Sequence, residues 1–350
     1  MLVLIVGGSY ANPGGVGLFC ERAIEALHQG GQIRAVHIPA GTASLRPSTV
    51  GGFVSGLCAL IRYRLERPDC VWLQYVNLPD LGYLLLAKIL GMKVMVTPHL
   101  GSNWRSQRNP LLRNLSGGLL RLADRMALLS RTQELEIPLP EGVPRSYIKT
   151  FLPADLLESH LHDGLDSPSL RLIHAARLSE GKGTFRAIEV CALLRDRGVE
   201  FSMSIAGAAD EETAARMHGL IVEQGLQNQI KVLGRLTGTD LSDELRRADV
   251  LIHLSEIDSY PLIVLEALAC SVLPVCMELA GAHDMVTEYA GYVVQKSDAV
   301  DDAAALLACA DPRDLRLQAR DGGLRVRGDY SWVQCSAVAG AALHSTIVSA

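Results

Sequence analysis

The chain has 350 residues, 49% of them hydrophobic and 20% charged, with a formal net charge of −5. That length suits two domains that each bury a core, and that composition excludes an intrinsically disordered polymer. The eight cysteines are scattered, with no CxxC and no Cys/His cluster, which favours buried reduced thiols over a disulfide framework or a zinc site.

The opening residues 1–6 lack a basic segment and run directly into glycines, so a first β-strand over 2–6 is expected instead of a signal peptide. Short β-branched runs then alternate with amphipathic stretches. Strands are predicted at 33–38, 70–75, 93–97 and 126–129, and helices near 16–29, 48–66, 80–90 and 109–123. This is the rhythm of βα units on a parallel sheet, in which ligands bind beyond the carboxyl ends of the strands.

The loop after the first strand carries Gly7, Gly8, Gly14, Gly15 and Gly17 ahead of a helix. Glycines there let backbone N–H groups approach a phosphate at a helix N-terminus, although the loop could equally be a flexible turn. It does not match GxGxxG, and Ala35, Val36 and His37 stand where a ribose-binding acid would be needed, which argues against a nicotinamide dehydrogenase.

His99 closes the stretch 93–99, just past the strand at 93–97, and precedes Gly101 and Trp104. A polar residue there suits a site solvated until ligand closes it, and also suits a purely structural histidine. Residues 104–125 then hold five arginines and one acid among leucines. Trp104, Arg105, Arg108 and Arg113 are the candidate surface for anionic lipid or a lipid-linked acceptor, the alternative being an exposed basic face on a packed helix. Gly117 and Gly118 weaken any single continuous helix. Residues 1–165 hold 16 Lys+Arg against 12 Asp+Glu, whereas the remainder holds 17 against 26, a weak pointer to an acidic or membrane-surface partner on the first half.

The rhythm breaks at 156–169, which is rich in turn formers, and restarts with strands at 172–176, 201–206, 231–233, 250–254 and 273–277. The second half opens with Arg177 and Lys182, two cations beside glycines in a strand-to-helix loop. Together they can neutralise a pyrophosphate, Arg177 by its fork and Lys182 as a point charge, the alternative being two solvated loop cations. Farther on, a strand ends in a loop bearing Asp258, Pro261 suits a first helical turn, and Glu266 lies on the helix. The acids can grip separate hydroxyls of a bound glycoside while amides such as that of Leu262 face its phosphates. The structural alternatives are a helix-start charge for Asp258 and a surface position for Glu266. An unpartnered acid in so apolar a helix is costly, which favours a partner or ligand for Glu266. The tail 332–350 carries no charged side chain but several polar ones, and reads as a docked helix, not a membrane span.

Taken together, the loop from Arg177 to Gly183, the acid-x7-glutamate pair Asp258 and Glu266 with its EALAC continuation, Gly281 to Asp284, and Tyr330 to Trp332 resemble the retaining glycosyltransferases of family 4. The resemblance implies the α/β GT-B architecture: two Rossmann-like doubly wound parallel-sheet domains with the donor cleft between them. It implies an acceptor-side domain over 1–156, a linker at 157–169, a nucleotide-sugar domain over 170–329, and a C-terminal helix at 330–350 crossing back. It further implies donor phosphates against Gly14 and Gly15, the transferred sugar at His99, and the pyrophosphate on Arg177 and Lys182. Asp258 would meet sugar hydroxyls, Glu266 the ribose, and the backbone at Gly207 and Gly234 the phosphates and base.

The expected co-substrate is a UDP- or GDP-sugar, with a glycan or lipid-linked hydroxyl as acceptor and peripheral contact with an anionic membrane. No cofactor, metal or nucleic-acid partner is expected, and the setting is cytoplasmic, at the inner face of the plasma membrane where it is peripheral. No Asp-x-Asp occurs. Three departures stand out: Asp258 where the family usually has Glu, Ala176 for a glycine, and Ser271 for a common glycine. Hydrolysis or epimerisation of a nucleotide sugar, or silent binding of one, stay open as alternatives.

Overall fold

The computed structural model describes residues 1–8, 15–40, 47–101, 105–158, 167, 169–258 and 260–348. The chain forms two compact units, Met1–Phe151 with Tyr330–Ala350, and Leu152–Asp329.

In the first unit, β1 (Leu2–Val6), β2 (Arg34–Ile38), β3 (Cys70–Tyr75), β4 (Val94–Pro98), β5 (Arg125–Leu128) and β6 (Arg145–Tyr147) pair in parallel, in the order β2-β1-β3-β4-β5-β6. The helices are α1 (Gly15–Gln29), α2 (Pro47–Tyr63), α3 (Leu81–Ile89), α4 (Arg105–Arg108), α5 (Pro110–Leu120) and α6 (Gln133–Glu136). β3 and β4 are buried along their whole length, as expected of parallel strands covered on both faces. Leu60, Leu84 and Leu120, from α2, α3 and α5, share one hydrophobic cluster with Val71, Leu73, Val94, Val96 and Met126. These three helices therefore cover one face of the sheet. The expected helix over 109–123 begins one residue late, because Asn109 caps it: its side chain accepts the N–H groups of Leu111 (3.0 Å) and Leu112 (3.3 Å), with Pro110 next in line.

The second unit holds α7 (Ala154–Glu158), β7 (Leu170–Ala175), α8 (Thr184–Asp196), β8 (Phe201–Ala206), α9 (Glu211–Glu223), β9 (Ile230–Gly234), α10 (Thr239–Arg247) and β10 (Val250–His253). It continues with α11 (Leu262–Ala269), β11 (Leu273–Met277), α12 (Ala280–Glu288), β12 (Tyr292–Val294), α13 (Ala299–Cys309) and α14 (Pro312–Asp329). Its parallel sheet runs β12-β11-β10-β7-β8-β9, so the strand order reverses between β7 and β10.

The last helix, α15 (Trp332–Val348), packs in the first unit against α1, β3, β4 and β6, and Cys335 Sγ donates to the Thr150 carbonyl at 3.3 Å. No helix among the described residues is long and apolar enough to cross a membrane.

Four features depart from the sequence expectations. β6 and β12 are three-residue strands at the sheet edges, too short to show a period. Residues Gly281 to Asp284, which resemble the family's glycine and acid loop, form the start of α12, where the His283 N–H already reaches the Leu279 carbonyl at 2.8 Å. The division between units falls after Phe151, ahead of the expected 156. The reason is α7, which is held in the second unit by Arg246, whose guanidinium donates to the Asp155 carbonyl at 3.0 Å. Most of the 157–169 stretch lies outside the described residues.

Candidate functional site

The carboxyl ends of β7 and β10 lie side by side where the second sheet reverses its strand order. A parallel α/β sheet binds its ligands beyond the strand ends at such a reversal point. The loops leaving these two strands carry Lys182 and Asp258.

Glycine makes their close approach possible. Gly183 has φ +79°, and a Cβ on it would stand 2.2 Å from the Leu254 carbonyl oxygen. The Gly181 carbonyl accepts the Glu256 N–H at 2.9 Å and the Ser255 hydroxyl at 3.3 Å. Arg186 on α8 donates to the Leu254 carbonyl at 3.0 Å and pairs with Glu256.

Beneath the loop lies His174, fully buried on β7. Its Nδ1–H donates to the Ile252 carbonyl (3.0 Å), which leaves Nε2 to accept the Thr184 hydroxyl (3.2 Å). Thr184 Oγ1 in turn accepts the Ser179 N–H at 3.0 Å. The chain of bonds needs a neutral ring, and burial pushes the His174 pKa down to about 4.

On this footing Lys182 and Asp258 form an ion pair, and His253 donates Nε2–H to the other Asp258 oxygen at 3.0 Å. Burial by itself would raise the Asp258 pKa. The His253 hydrogen bond and the charge of Lys182 outweigh it and hold the carboxyl well below the usual carboxylate range. His253 is 2% exposed, and its Nδ1 is buried with no hydrogen-bond partner among the described residues.

Arg177 stands apart from this cluster. It is exposed and makes no ion pair with another described residue, so the two cations of the loop are not joined. Gly207 has φ +154°, and a Cβ there would fall 1.8 Å from the Ala176 carbonyl oxygen. Its N–H is already donated to the Gly234 carbonyl at 2.8 Å. Gly207 therefore brings the β7 and β8 loops together and does not offer its own amide to a phosphate. Gly234, at φ +69°, has open space where a side chain would be. Pro261 precedes α11 and supplies no side-chain cap for the first turn that Leu262 begins; Glu266 sits half-buried one turn on.

In the first unit a second group of loop residues meets at Gln74, fully buried on β3. Gly7, at φ +150°, lies so close that a Cβ would be 2.5 Å from Gln74 Cβ, and its carbonyl accepts His37 Nε2–H at 2.7 Å. His99 donates Nε2–H to Gln74 Oε1 at 2.8 Å and meets the Phe19 ring edge-on, with centroids 5.1 Å apart. Burial lowers its pKa to about 4, so the ring is neutral at pH 7. Gly8 packs against Gly17, whose Cα would lie 2.8 Å from an added Cβ. Gly15 opens α1, while Gly14 lies outside the described residues. Arg105 and Arg108 fall on α4 and Arg113 on α5, the last two exposed; Trp104 is outside the described residues.

Sequence reasoning missed His253, His174, Thr184 and Gln74. The one signal available was position. His253 ends the apolar run 250–253, and a titratable residue closing such a strand stands at the sheet's ligand edge.

Residues 162–320 match the model of the family described as glycosyl transferases group 1. The amylovoran biosynthesis glycosyltransferase AmsK of Erwinia amylovora is 30% identical over 154 residues, 42% of this chain and 37% of that protein. A D-inositol 3-phosphate glycosyltransferase of Pseudarthrobacter chlorophenolicus is 25% identical over 212 residues, 59% of this chain and 50% of that protein. The matches thus span half or less of these relatives' length. The Anabaena protein Alr3699/HepE, solved in complex with UDP and glucose, superposes with a TM-score of 0.75 at 16% identity, covering 99% of this chain and all of that one. The two units of this chain accordingly have the GT-B glycosyltransferase fold.

Proposed function

We propose that the chain is a retaining glycosyltransferase that moves a hexose-type sugar from a nucleotide diphosphate sugar to a hydroxyl of a glycan or lipid-linked acceptor. The observation that carries the reading is the meeting of Lys182, Asp258 and the α11 N-terminus at the reversal point of the second sheet, inside the stretch matching the glycosyl transferases group 1 model. The likeness to AmsK supports a place in cell-surface polysaccharide or glycolipid assembly, and the fold shared with a UDP- and glucose-bound protein supports a nucleotide-sugar donor.

On this reading Lys182, with Arg177 at the loop's exposed end, meets the negative charge that develops on the leaving diphosphate. The α11 N-terminus adds its dipole. Asp258 receives sugar hydroxyls and Glu266 the ribose. His99, neutral, lends a ring nitrogen to the transferred sugar. The leaving phosphate takes the acceptor hydroxyl's proton as the glycosidic bond forms on the face the diphosphate leaves, with no covalent sugar–enzyme intermediate. These fixed cations stand in the role a metal would fill, so no metal is required. The enzyme works in the cytoplasm.

The test is a thermal-shift panel of UDP-, GDP- and ADP-sugars, followed by turnover of whichever donor stabilises the chain. One donor class should raise Tm and yield a glycoside with retained anomeric configuration. Free sugar or an epimer formed without acceptor would replace transfer by hydrolysis or epimerisation. Stabilisation without turnover across acceptors would make the chain a binding subunit.

A further inference from the structure

Lys182 and Asp258 are largely sheltered from water, their side chains 22% and 17% exposed. Among the described residues Asp258 is the only acid that Lys182 pairs with. The other acid of the same loop, Glu256, is taken by Arg186 and lies 3.5 Å from Lys296. The cation proposed for the leaving diphosphate is therefore charge-compensated before any ligand arrives.

The two partners differ in freedom. His253 closes β10 level with Cys276 of β11, both buried, and its Nε2–H holds Asp258 Oδ2 at 3.0 Å. The carboxylate is thus tied to the sheet. Lys182 stands between Gly181 and Gly183 and carries its charge on a long, flexible stem. When the pair opens, Lys182 moves and Asp258 stays.

The cost of opening depends on what the ligand brings. A diphosphate without a sugar draws Lys182 away and leaves a mostly buried carboxylate with His253 as its remaining donor among the described residues. An under-satisfied buried charge is unfavourable. A nucleotide sugar draws Lys182 in the same way, but its hydroxyls donate to the vacated Asp258 oxygen.

We infer that Asp258 has a second function besides contacting the donor sugar: it competes with the nucleoside diphosphate for Lys182, and so biases the site towards the intact donor and against the spent diphosphate. This rests on the donor reading proposed above and adds a step to it. Once the sugar has passed to the acceptor, Asp258 loses its hydroxyl partners, recaptures Lys182 and promotes departure of the diphosphate.

Isothermal titration of the full chain with UDP, GDP and ADP, and with UDP-glucose, GDP-mannose and ADP-glucose, measures both affinities. Asp258→Asn keeps the side-chain shape and an acceptor for His253 but removes the competing charge. It should tighten binding of the recognised diphosphate by about tenfold, more than for an exposed ion pair and less than for a fully buried one. Stopped-flow release of that diphosphate should slow by a similar factor. The nucleotide sugar should gain less, so the preference for the intact donor shrinks. The same substitution in a Lys182→Met background should give no such tightening. That control separates competition for Lys182 from general repulsion between Asp258 and an anion, which persists without the lysine.

Unchanged or weaker diphosphate binding in folded Asp258→Asn protein overturns the inference, as does release that is no slower or equal tightening in the Lys182→Met background. If the unaltered chain binds none of these nucleotides, the donor reading itself falls and this inference with it.

Discussion

Lys182 and Asp258, 76 residues apart in sequence, hold each other as an ion pair where two strand-end loops meet, and His253 holds the second carboxylate oxygen at 3.0 Å. In this arrangement the cation proposed for the donor phosphate is neutralised by the acid proposed for the donor sugar. Ligand must therefore exchange one anionic partner for another.

Replacing Lys182 with Ala should lower kcat by about 100-fold or more, as expected for loss of one group that meets transition-state charge. Steady-state kinetics with the donor identified by thermal shift checks this. Turnover within a few-fold of the unaltered protein would remove Lys182 from the chemistry.

His253 is a positioning residue for Asp258, and a split between two variants would show it. His253→Gln keeps an N–H donor within reach of the carboxylate and should retain most of the activity. His253→Leu leaves a buried carboxylate oxygen without its donor and should cost about tenfold in kcat, with a smaller change in KM. Equal loss in both variants would point to packing instead.

Stability should fall as pH drops from about 6.5 towards 4. The folded-state pKa of His174 lies near 4, below its unfolded value, so between those values the unfolded chain binds the extra proton and is favoured. The full displacement amounts to about 3 kcal/mol for His174. Asp258 adds a loss in the same direction at lower pH. Its depressed pKa contributes stability above the unfolded carboxylate value of about 3.9, and that contribution is lost as pH falls below it. Urea unfolding at a series of pH values, repeated for His174→Gln, measures the first effect; an unchanged slope in the variant would count against it.

Ser271 sits at φ +61° just after α11, where the Val272 N–H bonds the Ala267 carbonyl (2.9 Å) and the Ser271 N–H bonds the Leu268 carbonyl (2.8 Å). This helix-closing geometry favours glycine, and the Ser271 hydroxyl is buried without a hydrogen-bond partner among the described residues. Ser271→Gly should therefore raise stability by about 1 kcal/mol, seen as a higher Tm. A lower Tm would mean that lost packing against Gly323 outweighs the relieved strain.

Activity should survive exhaustive chelation, because the proposed charge stabilisation comes from Lys182, Arg177 and a helix N-terminus. The check is turnover after EDTA treatment and again after Mg²⁺ is restored. Loss on chelation with recovery on Mg²⁺ would require a different account of the leaving group.

Much was legible in the residues alone. Short apolar runs specified parallel strands, because a strand covered on both faces is mostly apolar, and β1, β3, β4 and β10 follow that pattern except near their carboxyl ends, where Gln74, Thr97 and His253 stand. Glycines at 7, 8 and 183 were visible as loop glycines, but only the structure shows that a Cβ there would meet Gln74, Gly17 and the Leu254 carbonyl. The Asp258 and Glu266 spacing marked the loop after β10 and the helix α11 that follows it. Tertiary structure alone decided which charges meet. Lys182 pairs with Asp258 and leaves Arg177 outside; His174 and His253 become parts of the site; and Gly207 spends its amide on Gly234. The physical reason is that periodicity reports which face of an element is buried, whereas a hydrogen bond or ion pair depends on strand order. The reversal between β7 and β10 brings residues 76 positions apart within bonding distance.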